Sequence, residues 1–179
     1  MTRGRNCEAA HTPGIMRGFA MAGCSALYKI PDPPKSHAQK ATKRPCDFIG
    51  VMPDGRALRC EVKAAKASHK GVLGFGPSQF RPHQLAHLAA VAKNGGRAVV
   101  ALVSFWPGLS WKLYLWRWSE FARVTNAGQT DPRMWKQISA EDMRKLPSLC
   151  RLSEGKKHYW DVSQFVSNWT TERQTDVTQ

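Results

Sequence analysis

The stretch that decides the fold is Cys46-Asp47-Phe48-Ile49-Gly50-Val51, Met52-Pro53-Asp54-Gly55, and Arg56-Ala57-Leu58-Arg59-Cys60-Glu61-Val62-Lys63. Two runs containing apolar and β-branched residues flank a Pro-Asp-Gly segment. The proline presets one φ angle and the glycine accepts a positive φ, as a tight turn requires. The stretch therefore predicts a β-hairpin that turns at residues 53–55.

The second run of this hairpin alternates with period two. Its side chains divide between two faces: Leu58, Cys60 and Val62 on one, and Arg59, Glu61 and Lys63 on the other. Pairing of the two runs would bring Asp47 alongside Glu61. Two carboxylates can hold a hard cation through oxygen, and a lysine nearby can orient a nucleophile or neutralise a phosphate. The pattern favours metal-assisted phosphodiester hydrolysis, although a surface hairpin with an ordinary Glu61–Lys63 charge pair has the same spacing.

Asp47, thirteen intervening residues and then Glu61-Val62-Lys63 resemble the PD-(D/E)XK nuclease motif, with Pro45-Cys46-Asp47 as its first half. Within that superfamily the chain is similar to RecU-type Holliday junction resolvases. Residues 47–63 resemble the "DY-G-V…G…FEAK" hairpin of these resolvases. Phe80-Arg81-Pro82-His83-Gln84 resembles the "F…HQ" entry into their next helix, and residues 95–105 resemble the buried strand that follows it. The similarity covers roughly residues 3 to 125.

The resemblance implies an α/β fold: a PD-(D/E)XK, restriction-endonuclease-like core with a mixed central sheet flanked by helices. It implies that Asp47, Glu61 and the carbonyl of Val62 bind Mg²⁺, for which Mn²⁺ can substitute. Lys63 would assist the attacking water and Gln84 would support the site. Many members place a further metal-site glutamate on their first helix. Glu8 is the one candidate here, because it is the only acid before Pro31.

The charge of the chain predicts a polyanionic partner. Lys and Arg number 27 against 13 acids, which gives a net charge of +14, and no acid occurs from Val62 to Ser119. Each phosphate that a basic side chain neutralises releases counterions, so such an excess favours nucleic acid. The chain shows no long amphipathic basic helix of the kind that binds membranes. The predicted DNA contacts are Lys66, Lys70, Arg81, Lys43 and Arg44.

The motif and the charge predict a metal-dependent DNA endonuclease. The resemblance implies that it is a Mg²⁺-dependent, structure-selective enzyme that resolves four-way junctions, most economically as a homodimer. Two alternatives stay open: a related nuclease acting on duplex, flap or nicked DNA, and a catalytically inactive basic DNA-binding protein. The five cysteines include no C-x-x-C pair, and no stretch approaches the length of a membrane span. We therefore expect a cytoplasmic protein, of a bacterium or a phage-infected cell, with no membrane partner.

A single nuclease domain is predicted over residues 1–169, with a short basic, proline-rich arm at 31–45 and a disordered tail at 170–179. Thr12-Pro13 resembles a helix cap and first position, with the helix running to Ala22 and stopping at Gly23. Other segments with clear periodicity are a helix at Pro82–Lys93 and strands at Arg97–Phe105 and 111–118. Trp111, Trp116, Trp118 and the aromatics near Trp160 are candidates for a dimer interface.

Overall fold

The computed structural model describes residues 3–31, 44–66, 75–105, 111–129, 131–139, 151–154 and 157–171. Most of the predicted arm at 31–45 lies outside these residues. So do the predicted DNA contacts Lys43 and Lys70, and the side chain of Lys66. The predicted tail begins too early, because residues 170 and 171 close the last helix; positions 172–179 lie outside the described residues.

A five-stranded mixed sheet forms the centre of the molecule. Its strands, in spatial order, are β1 (Ser25–Lys29), β2 (Phe48–Val51), β3 (Ala57–Lys66), β4 (Arg97–Phe105) and β5 (Trp111–Arg117). β3 and β4 pair in parallel, whereas the other neighbours are antiparallel. Helices cover both faces, so the predicted α/β fold with a mixed central sheet flanked by helices is confirmed.

Two hydrophobic cores lie on opposite faces of the sheet. One core contains residues of α1 (Arg3–Met21) and α4 (Ser163–Thr171), together with Trp160 of the hairpin β6–β7 (Arg151–Glu154, Lys157–Trp160). The other contains residues of α2 (Pro82–Lys93) and α3 (Trp118–Thr125). α2 is also the crossover that two parallel neighbours such as β3 and β4 need.

β4 separates the two cores. Its side chains at 98, 100 and 102 join the α2 core, and those at 99, 101 and 103 join the α1 core. The strand predicted at Arg97–Phe105 is confirmed, and its continuous apolar run is typical of a strand that is covered on both faces. β3 packs Leu58, Cys60 and Val62 into the α1 core, so Glu61 and Lys63 project toward α2.

The predicted hairpin forms between β2 and β3. Gly55 has φ +78°, and the Met52 N–H donates to the Arg56 carbonyl at 2.9 Å to close the turn. Phe48 pairs with Cys60, and the N–H of Asp47 donates to the Cys60 carbonyl at 3.0 Å. This register places Asp47 beside Glu61, as the sequence predicted.

The first helix begins nine residues before the predicted cap at Thr12 and runs through Pro13. A proline inside a helix costs about 3 kcal/mol. Here Ile15 and Phe19 are fully buried against the sheet, and the Thr12 hydroxyl donates to the Glu8 carbonyl at 2.7 Å. We attribute the continuous helix to this burial, which opposes the cost of the proline. The predicted stop is confirmed, since Gly23 has φ +87°.

The tryptophans proposed for a dimer interface pack mainly inside the chain. Trp116, Trp118 and Trp160 are buried, and Trp111 is half-buried against the α1 core. Trp116, Trp118 and Trp160 therefore supply core packing. Within the described part of the chain, no helix is both long and apolar enough to span a bilayer.

Replacing Gly18 by alanine is expected to lower the free energy of unfolding, although alanine favours helices. A Cβ atom at Gly18 would lie 1.9 Å from the Trp160 carbonyl oxygen, so α1 and β7 would have to separate. Overpacking of this kind costs about 1–3 kcal/mol. Urea denaturation measures the difference.

Gly128→Ala is the matched control, because a Cβ at Gly128 meets no atom within 4 Å. Its unfolding free energy should stay close to that of the wild type. Equal stability of the two alanine variants would contradict the close packing of α1 on β7.

Candidate active site

Asp47 lies immediately before β2 and is almost completely buried. One carboxylate oxygen, Oδ2, accepts a hydrogen bond from the N–H of Val62 at 2.7 Å. The other, Oδ1, pairs with the Arg44 guanidinium. The backbone of β3 therefore fixes the orientation of the carboxylate, and an arginine from the preceding segment neutralises it.

Glu61 is fully buried in the middle of β3, with its carboxylate directed toward α2. Its Oε1 accepts hydrogen bonds from Lys63 Nζ, at 2.6 Å, and from Gln84 Nε2. Its Oε2 is also buried but has no hydrogen-bond partner among the described residues. An unsatisfied buried carboxylate oxygen is costly, so this atom marks a position where a cation or a water would be stabilised.

Lys63 lies on the same face of β3 as Glu61, two residues along. Its ammonium group contacts the Glu61 carboxylate and lies 5.3 Å from the centre of the Phe80 ring. The side chain is about one-eighth exposed (12 %). An ammonium has three N–H donors, so Lys63 can hold Glu61 and still donate to a group in the open part of the site.

The N-terminus of α2 supplies Gln84 and holds its amide in one orientation. Gln84 Oε1 accepts from the N–H of Arg81 at 3.0 Å, which leaves its Nε2 to donate to Glu61. The helix begins here because Pro82 occupies its first position, where a missing N–H does no harm. The same side chain therefore caps the helix and positions the catalytic candidate Glu61.

Glu8 reaches the site because α1 continues past Pro13. Its Oε1 accepts from the N–H of Ala64 at 3.4 Å, two residues beyond the N–H that Asp47 binds. Burial raises the pKa of Glu8; Asp47 raises it further, while Lys63 and Arg44 lower it. Glu8 and Asp47 therefore meet the same edge of β3, where β2 has ended. Since the N–H and C=O of one strand residue point to the same side, the Val62 carbonyl lies on this edge too.

The environment of Glu61 disfavours its charged form. Its pKa is raised from 4.5 to about 7: burial is the largest cause and the Asp47 charge acts in the same direction, while Lys63 and Arg44 oppose the rise. Perturbed carboxyl groups of this kind are frequent at functional sites, where a bound cation restores the ionised form.

The structure thus brings together Asp47, Glu61, Lys63, Gln84 and the Val62 backbone, with Glu8 at the strand edge. The predicted DNA contact Arg44 also lies in this cluster, and Arg81 is exposed at the start of α2. The side chains of Lys43, Lys66 and Lys70 lie outside the described residues. Within the described residues, no group of three or more His, Cys, Asp or Glu side chains has the geometry of a metal site.

The residues present nevertheless fit a magnesium ion. Mg²⁺ is commonly bound through one or two carboxylates and keeps several waters, so a cage of protein ligands is not required. The unpartnered Glu61 Oε2 would provide one oxygen, and Asp47 and the Val62 carbonyl would provide others nearby. All three donors are oxygens, which suits a hard cation rather than zinc.

Three contacts at this site were not predicted from the sequence. Arg44 pairs with Asp47 three positions away, its carbonyl is within 3.0 Å of His83 Nε2, and Phe80 lies beside the Lys63 ammonium. The i, i+3 spacing of Arg44 and Asp47 was visible, but such spacing implies contact only within a helix. His83 and Phe80 belong to the segment resembling the resolvase helix entry, although no role was predicted for them.

No protein-family model matches the chain, and no curated protein matches it. Among solved structures, the chain is similar to Hjc, a Holliday junction resolvase from the archaeal hyperthermophile Archaeoglobus fulgidus. The identity is 14 %, the match covers 70 % of this chain and 98 % of that chain, and the TM-score is 0.35. A likeness at this level does not assign an activity, so the proposal below rests on this chain's own residues.

In metal-free buffer, Glu61→Gln is expected to become progressively more stable than the wild type as the pH rises. The folded-state pKa of about 7 lies above the usual 4.5, so the stabilising proton on Glu61 is fully bound below about pH 4.5 and lost through pH 7. The stability gap should change by up to about 3 kcal/mol across this range. Urea unfolding in EDTA at several pH values measures it.

The control is Asp131→Asn, because Asp131 is outside the site and pairs with the exposed Arg133. Its stability relative to the wild type should not change between about pH 5 and pH 8, since an ordinary aspartate is ionised throughout. A constant gap for Glu61→Gln as well would show that Glu61 titrates like an exposed carboxyl group.

Proposed function

We propose that this protein is a Mg²⁺-dependent, structure-selective DNA endonuclease of the PD-(D/E)XK superfamily that resolves four-way junctions. The observation on which this proposal depends is the buried, unpartnered Oε2 of Glu61, beside Lys63 and near Asp47. A structural ion pair would be expected to satisfy both oxygens of a buried carboxylate. In a cation-binding site, the open oxygen would be a ligand of the cation.

Each residue has a distinct role in the proposed reaction. Asp47 and Glu61 would hold the ion, together with the Val62 carbonyl, and Gln84 keeps Glu61 oriented. When bound, the ion would acidify a water and neutralise charge on the scissile phosphate. Lys63 would orient the attacking water or stabilise the pentavalent phosphate through its remaining N–H donors. Glu8, held at the Ala64 N–H, would supply an additional acceptor beside Asp47.

The proposed substrate is DNA with a branched backbone. The net charge of +14 supports a nucleic-acid partner, and the exposed Arg81 lies three residues from Gln84. We propose four-way junctions as the preferred substrate because the sequence is similar to RecU-type resolvases. Action in the cytoplasm of a bacterial or phage-infected cell is proposed for the same reason. Resolution requires two cuts related by a two-fold axis, so we propose a homodimer with one ion site per chain.

The direct test incubates the protein with a labelled four-way junction, a duplex and a flap, with and without Mg²⁺. We expect paired symmetric nicks on the junction only when Mg²⁺ is present. Asp47→Asn and Glu61→Gln should each reduce cleavage by at least about a hundredfold, because each removes a group that stabilises the transition state through the ion. Junction binding by both variants should persist, since a negative charge next to the phosphate is lost.

Asp131→Asn again provides the control, because it removes an acid of the same type from an exposed turn. It should cut like the wild type. Near-normal cleavage by folded Asp47→Asn would exclude the assigned site. Equal cutting of junction and duplex by a monomer would leave a nuclease without junction selectivity, and binding without any cutting would indicate an inactive DNA-binding protein.

A further inference from the structure

Arg44 is bound to one carboxylate oxygen of Asp47, a proposed ligand of the ion. Its guanidinium pairs with Asp47 Oδ1, and a second N–H reaches the Ile30 carbonyl at 3.5 Å. The remaining oxygen of Asp47 is bound to the Val62 N–H. In this arrangement, Oδ1 is the Asp47 oxygen that can be released without breaking a contact to the backbone of the sheet.

A cation bound to Oδ1 would compete directly with Arg44. Magnesium lies about 2.1 Å from its oxygen ligands, which is closer than a guanidinium nitrogen can approach. The guanidinium would also repel a divalent ion at this distance. The ion and Arg44 are therefore alternative partners of one oxygen, and whatever removes Arg44 from Asp47 must favour the ion.

The backbone of Arg44 is held by a contact that does not involve its side chain. The Arg44 carbonyl is within hydrogen-bond distance, 3.0 Å, of His83 Nε2 on α2, and the side chain is about one-fifth exposed (20 %). A guanidinium binds phosphate through two parallel hydrogen bonds, so a DNA phosphate at the site offers it a partner at least as strong as a single carboxylate oxygen.

We propose that Arg44 is the residue through which DNA controls ion binding: it holds Asp47 in the free protein and transfers to a backbone phosphate when DNA binds. This inference rests on the proposed nuclease function. Binding energies are reciprocal, so the ion must raise DNA affinity by the factor through which DNA raises ion affinity. The free protein would then bind the ion weakly and acquire its full affinity on DNA.

The first experiment measures Mn²⁺ binding to the full-length protein without DNA, by the loss of the EPR signal of free Mn²⁺. Arg44→Gln should bind Mn²⁺ at least about fivefold more tightly than the wild type, because the competitor of the ion is gone. Arg59→Gln is the matched control. It removes the same charge from the neighbouring strand β3, but Arg59 donates to the Leu58 carbonyl rather than to Asp47.

The second experiment measures junction affinity with and without Ca²⁺, which should support binding with little cleavage. Ca²⁺ should raise the affinity of the wild type and of Arg59→Gln by a larger factor than that of Arg44→Gln. If circular dichroism shows that Arg44→Gln is unfolded, Arg44→Met replaces it in both experiments. Lysine retains both the charge and a donor for Asp47 Oδ1, so a folded Arg44→Lys protein should bind Mn²⁺ like the wild type, and Arg44→Met, which removes both, should bind it more tightly.

Mn²⁺ affinity in the folded Arg44→Gln or Arg44→Met protein no higher than in Arg59→Gln would overturn the inference and leave Arg44 as a structural partner of Asp47. An equal Ca²⁺ effect in all three proteins would overturn its DNA-dependent half. Asp47→Asn separates this failure from failure of the proposed function. If the wild type binds Mn²⁺ and Asp47→Asn does not, the ion site stands; if none of the proteins binds Mn²⁺ and the wild type does not cut the junction in Mg²⁺, both proposals fail.

Discussion

A fully buried carboxylate, Glu61, is the constraint on which the rest of the site depends. It lies in the middle of β3, beside the parallel partner β4, and is shielded from water. Lys63 and Gln84 satisfy one of its oxygens, and the other has no partner within the described structure. Burying such a group is unfavourable unless a cation or a proton compensates it. An open, buried carboxylate oxygen does not stabilise a hairpin, whereas in a metal-dependent phosphodiesterase it would serve as a ligand of the ion.

The helices around the sheet serve this carboxylate in different ways. The N-terminus of α2 provides Gln84 from its first turn, with His83 beside the Arg44 carbonyl. α1 brings Glu8 to the edge of β3 left open by the short β2. The site is therefore supported by regular elements from both faces of the sheet, an arrangement that favours fixed geometry. Arg44 is the exception, since its side chain is held by polar contacts at the margin of the site.

Local sequence signals predicted the central elements well. Pro53-Asp54-Gly55 with two-residue alternation fixed the hairpin and its register, and helical periodicity gave α2. The predicted start of α1 was wrong because the burial of this helix against the sheet outweighed the cost of Pro13 within it. β1 was missed because a short, mostly exposed edge strand has no hydrophobic alternation. The proximity of Asp47, Glu61, Lys63 and Gln84 followed from the motif, but the open oxygen of Glu61 and the pairing of Arg44 with Asp47 are properties of the folded site, which no local pattern encodes.

In the proposed site, Glu61 Oε2 is a ligand of a divalent cation. The most direct measurement is the anomalous scattering of Mn²⁺ in crystals of the protein bound to a junction whose scissile linkages resist hydrolysis. A single strong peak is expected at about 2.2 Å from Glu61 Oε2, within bonding distance of Asp47 as well. A crystal saturated with Mn²⁺ in which Glu61 Oε2 is hydrogen-bonded to the protein, and the ion lies elsewhere, would contradict it.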